Sequence, residues 1–158
     1  MHRDLILRTA ILGFATGLRS TWGIAVLTLR ANRAPQGFRG TPFGWLAYPQ
    51  VAALSRLAAV GEFVGDKLPI IPDRTHPVPL LGKAQTGALI GSATFTEAGA
   101  PAWQGALIGS ACALAGAFAG YNYRVRVARA LDVPDLPVAL TEDAAAAALA
   151  AAALNTYD

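Results

Sequence analysis

The chain has 158 residues, of which 54% belong to the apolar set AVILMFWYC and only 15% are charged, with a formal net charge of +3. Soluble domains carry about 25% charged residues, so too little polar surface is present to coat a water-soluble globule. Intrinsic disorder and a basic nucleic-acid-binding domain, which both need high charge, are excluded with it. The mean hydropathy of +0.40 points to lipid as the solvent, and the single cysteine, Cys112, excludes an intramolecular disulfide and a cysteine zinc cluster.

In chain order, the first apolar segment spans 5–29 and is interrupted by Arg8 and Arg19. It is too long for a signal-peptide core and lacks a small-residue cleavage site followed by polar sequence. It therefore belongs to the mature protein, as a straight span or as a helix broken or re-entrant near Gly17–Arg19. The second segment, 45–64, contains Arg56 and begins with a turn or kink at Pro49. Between Lys83 and Arg124, forty residues hold one charge, Glu97, about twice the roughly 20 residues that cross a bilayer core. Glu97-Ala98-Gly99-Ala100-Pro101 near the centre predicts a helical hairpin with arms 80–96 and 103–123. Trp103, Tyr121 and Tyr123 then fall where interfacial aromatics are expected. The phrase GALIGSA occurs at 87–93 and again at 105–111, as an internal duplication or as two similar small-residue helices. The last segment, 136–154, is nearly all alanine and leucine after Glu142-Asp143, and crosses the membrane or lies on it.

These segments predict an all-α polytopic transmembrane helix bundle of about five spans, a single integral membrane domain over 1–158. If all five cross, Arg3, Lys67, Arg74, Lys83, Arg124, Arg126 and Arg129 lie on one side and Arg30, Arg33 and Arg39 on the other. That bias sets the N-terminus inside and the C-terminus outside. Glycines four apart at 13/17, 40/44, 61/65, 87/91, 105/109 and 116/120 place small residues on one helix face. The expectation is tight helix packing, within one subunit or between copies in a homo-oligomer.

The charges inside apolar segments are the candidate site. Arg19 needs a partner if it lies near the bilayer midplane. It is either half of a structural ion pair or part of an anion site, where a helix broken at Gly17 exposes backbone N–H groups and Ser20 and Thr21 add hydroxyls. Glu62 and Asp66 share a helix face, followed by Lys67, and either pair with cations or hold a proton or cation. Glu142 and Asp143 either open a helix or, if it starts near Pro137, lie deeper and need a cation such as Arg19. His2 and His76 lack metal-ligand spacing to any other histidine or cysteine. No nucleophile elbow, P-loop or zinc-protease motif is present, so neither a metal, a cofactor nor an enzyme activity is expected.

The phrases Gly13-Phe14-Ala15-Thr16-Gly17-Leu18-Arg19-Ser20 and Glu62-Phe63-Val64-Gly65-Asp66-Lys67-Leu68-Pro69 stand with the Arg74 connector, the glycine-rich hairpin ending at Tyr121–Arg124, and Glu142-Asp143-Ala144. Together they resemble a family of small bacterial inner-membrane proteins catalogued as a domain of unknown function, over roughly residues 8–150. The resemblance implies a multi-pass protein of the bacterial inner (plasma) membrane and no activity. The chain departs from the family in a longer, more basic Arg30–Gly44 loop. The functional expectation is a small transporter or channel, its polar site between helices drawn from Gly17, Arg19, Ser20, Thr21, Glu62, Asp66, Lys67, Glu142 and Asp143. Its partners are membrane lipids and other copies of itself, with no nucleic acid. The alternative is a non-transporting membrane module that binds a lipid headgroup or a partner protein.

Overall fold

Apolar, small-residue sequence cut by proline and glycine gives helices with short joints. In a computed structural model that describes residues 2–65, 77–132 and 135–155, six α-helices form and no strand occurs among the described residues. They are α1 (His2–Leu18), α2 (Trp22–Arg33), α3 (Pro49–Gly65), α4 (Pro77–Glu97), α5 (Ala102–Leu131) and α6 (Asp135–Asn155). Two single-turn 3-10 helices, Pro35–Gly37 and Gly44–Ala47, lie between α2 and α3. Among the described residues, two helices contain stretches long and apolar enough to cross a membrane, Ala102–Ala130 and Pro137–Leu154. Prolines sit in the first turns of α3, α4 and α6, where the missing N–H costs no helical hydrogen bond. Between α4 and α5 the chain reverses through Gly99 at φ +69°, with the Ala100 N–H bonded to the Phe95 carbonyl at 2.8 Å. This left-handed closure of a helix end favours glycine.

The first apolar segment departs from a straight span. Its helix stops at Leu18, turns through Arg19-Ser20-Thr21, and runs back as α2. Gly23 of α2 lies against Thr16 and Leu12 of α1, and Arg8 and Arg30, from opposite arms, both act electrostatically on Glu97. The segment 5–29 is therefore a helical hairpin whose tip is Arg19-Ser20-Thr21. Apolar composition cannot separate one long helix from two short antiparallel ones, because both hide the same side chains. With α1 and α2 returning to the same end of the bundle, the N-terminal helix starts at the end where α6 finishes.

The helices pack mostly through glycine. The α4–α5 contact is the most extensive, followed by α1–α5. A Cβ on Gly91 would run into the Gly105 carbonyl and one on Gly87 into that of Gly109, and the reverse holds for Gly105 and Gly109. The two copies of GALIGSA thus face each other antiparallel, first glycine to second. On α1, Gly13 and Gly17 press on Gly109–Ala117 of α5 in the same way. Backbones in contact gain dispersion energy from the many close atom pairs they bring together. These faces are spent inside the chain, so an oligomer would need a different surface. The apolar core lies between α1, α2, α4 and α6 around Leu12, Leu27 and Ile90, closed at one end by Phe38 and Leu46 of the α2–α3 connection. Buried Thr9, Thr16 and Thr94 return their hydroxyls to the carbonyl four residues back at 2.8 Å, which removes the cost of an unsatisfied donor.

Candidate functional site

The hairpin tip leaves two sets of backbone groups without helical partners, the last carbonyls of α1 and the first N–H groups of α2. Opposite charges meet them. The Glu62 carboxylate, from α3, accepts from the Ser20 N–H at 2.8 Å, the Thr21 N–H at 2.9 Å and the Thr21 hydroxyl at 2.5 Å. The Lys83 ammonium, from α4, donates to the Gly17 carbonyl. An anion at a helix N-terminus and a cation at a C-terminus both complement the backbone dipoles. The break is therefore held from both sides by charge, and Lys83 also acts electrostatically on Glu62.

Arg19 at the tip is 1% exposed and forms an ion pair with Asp143 of α6, itself 5% exposed. Beside it, Glu142 is 3% exposed and lies 3.8 Å from Arg124 of α5. The helix carrying these acids starts at Asp135, which places both carboxylates about two turns inside it, where a cation is needed. Gly120 lies against both Glu142 and Leu18, tying this acid pair to the end of α1. Around one turn of chain, three cations (Arg19, Lys83, Arg124) therefore meet three acids (Glu62, Glu142, Asp143), drawn from the tip and from α3, α4, α5 and α6. At 1.5 Å per residue the Lys83 level lies about 9 Å inside the start of α4 and about 21 Å from Glu97 at its far end, so the cluster is set within the bundle.

Of the residues singled out from sequence, Arg19, Ser20, Thr21, Glu62, Glu142 and Asp143 meet here, and Gly17 supplies a carbonyl and a packing surface. Asp66 and Lys67 lie outside the described residues. Lys83 and Arg124 were read as loop charges bounding the hairpin and turn out to be members of the cluster. Their spacing carried a signal, since Lys83 precedes Gly87 by four residues and Arg124 follows Gly120 by four, which puts each on a glycine face that packs inward. Arg30 of the basic loop is engaged by Glu97 at 2.9 Å. No group of three histidine, cysteine or acidic residues able to hold a metal occurs among the described residues. No protein-family model, curated protein or solved structure matches the chain.

Proposed function

We propose that this chain is a small integral membrane transporter or channel of the bacterial inner membrane, in which a proton or small ion passes by the hairpin tip. One observation carries the reading. A re-entrant hairpin ends inside a bundle of apolar helices, and its broken backbone is met by a balanced cluster of charges. Non-helical backbone at membrane depth is stable only where protein or a polar cavity surrounds it, and ionisable residues there mark ion and substrate paths. Within the cluster the acids divide by role. Asp143 is buried against the Arg19 guanidinium and anchors α6 to the tip, and Glu142 faces Arg124 and ties α6 to α5. Glu62 is only half-buried and holds the tip through N–H and O–H donors, so a proton or cation that reaches its carboxylate competes with those donors and loosens the tip.

In this reading α3, α4, α5 and α6 cross the bilayer and the α1–α2 hairpin enters and leaves on one side. Both ends of the chain then lie on one side of the membrane, and reporters fused to the N- and C-terminus report the same side. Flux in proteoliposomes tests the function. Wild-type protein moves protons or a small ion above the rate of empty vesicles, Glu62→Gln loses at least most of that flux, and its thermal melt still shows a folded protein. Flux at the empty-vesicle rate across protons and a panel of small cations and anions would overturn the proposal.

A further inference from the structure

Away from the charge cluster, α2, α3 and α6 do not close on one another. They leave a groove of about 420 Å³ bounded by Trp22 and Leu29 on α2, Arg56 and Val60 on α3, and Ala147 and Leu154 on α6. The volume lies in the range of ligand sites, about 300–1,000 Å³. Its walls are apolar apart from one cation. The Arg56 Nε donates to the Ala52 carbonyl at 2.9 Å, so the guanidinium folds back along α3 toward the end of the bundle that holds Arg30 and Glu97. Arg33 is exposed and four residues beyond Leu29, hence on the same stripe of α2, one turn nearer that end. The groove thus has a polarity, with the Arg56 guanidinium toward its outer end, Arg33 one turn beyond Leu29 on the same stripe of α2, and an apolar floor running inward past Leu29 to Trp22.

We propose that this groove holds one anionic phospholipid, its phosphate between Arg33 and Arg56 and an acyl chain along the floor toward Trp22. The proposal rests on the membrane reading of the preceding section but not on transport. Charge complementarity selects the occupant, because a planar guanidinium grips a phosphate with two parallel hydrogen bonds, and basic residues at the membrane surface attract anionic lipid. The depth order also fits a lipid, with cations at the bundle end and apolar wall toward its middle.

Alkaline carbonate washing of membranes comes first. Release of the chain would overturn the membrane reading and this site with it, whereas retention leaves the site to stand on lipid binding alone. Native mass spectrometry then follows protein purified in detergent and given equimolar phosphatidylglycerol and phosphatidylcholine. Wild-type chain retains phosphatidylglycerol in preference, by about tenfold. The double substitution Arg33→Gln with Arg56→Gln loses that preference, Ala147→Phe fills the groove and loses both lipids, and Arg39→Gln keeps the wild-type pattern. Thermal melts of the variants confirm that they fold. Equal retention of the two lipids, an unchanged preference in the double variant, a loss in Arg39→Gln as large as in the double variant, or a second copy of the chain seated in place of lipid would each overturn it.

Discussion

The two sides of the bundle are built differently. On one side α1, α4 and α5 meet through glycines, with backbone against backbone and no space for a further carbon. On the other, α2 packs on α3 and on α6 without closing the space between those two, which leaves a groove. Where backbones touch, a helix has no side chain to yield, and the side chains on the next turns inherit its placement. Lys83 follows from Gly87 and Arg124 from Gly120, so the tight side aims two of the three cations at the hairpin tip. The open side carries Glu62 and leaves it half-buried. Lys83 and Arg124 are thus mounted on the tight side, while Glu62, Glu142 and Asp143 come from the open side.

This contrast can be broken most severely at a glycine contact. Gly109→Leu forces a side chain into the Gly87 carbonyl. Overpacking a core typically costs about 1–3 kcal/mol, and here the obstacle is backbone with no rotamer to change, so loss of the folded protein in detergent is expected by size-exclusion profile and helical circular dichroism. Next in size is Arg19→Met. It leaves Asp143 buried without its guanidinium, at a cost of about 3–5 kcal/mol, seen as a lowered melting temperature. Adding Asp143→Leu should recover much of it, and a double variant no more stable than Arg19→Met would show that the pair does not anchor the tip.

Smaller effects sharpen the comparison. Glu97, at the outer end of α4 beyond the apolar span, is pushed above its usual value of 4.5 by burial, more than the Arg30 guanidinium pulls it down. A raised carboxyl takes up its proton more readily when folded. Its share of stability is therefore present below the usual value and lost as pH rises through the raised one. Glu97→Gln should flatten that part of the melting temperature against pH, and an unchanged slope would locate the pH dependence elsewhere. The smallest change is Gly61→Ala on the open side, where nothing lies within 4 Å of the added carbon. Removing a glycine from a helix interior stabilises by about 0.5–1 kcal/mol, so melting should rise slightly, opposite in sign to the same change at Gly87, Gly91, Gly105 or Gly109.

Much of the architecture was legible from composition and spacing. The α4–α5 reversal around Gly99 could be read from one charge and one proline in a long apolar stretch. The need of Arg19 for an acid could be read from its depth, and Asp143 was among the acids named. The fold-back of 5–29 was visible only as an alternative, since Gly17, Ser20 and Thr21 permit a break without specifying its angle. That angle is set by contacts distant in sequence, Glu62 on one side of the break and Lys83 on the other, and no local pattern encodes them. Glu62 had been weighed as a cation or proton site and the α2 N-terminus as an anion site. The structure brings the two together, one satisfying the other.

The antiparallel match of the two GALIGSA copies makes the α4–α5 contact self-complementary, because each arm presents to its partner the surface it also seeks. Such a surface does not distinguish the adjacent arm from the same arm of a neighbouring molecule. The choice falls to the tether, Ala98-Gly99-Ala100-Pro101, which holds the arms at an effective concentration in the millimolar range. Those four residues act as the address label of the fold, and the hairpin's fidelity depends on their shortness more than on any feature of the faces they join.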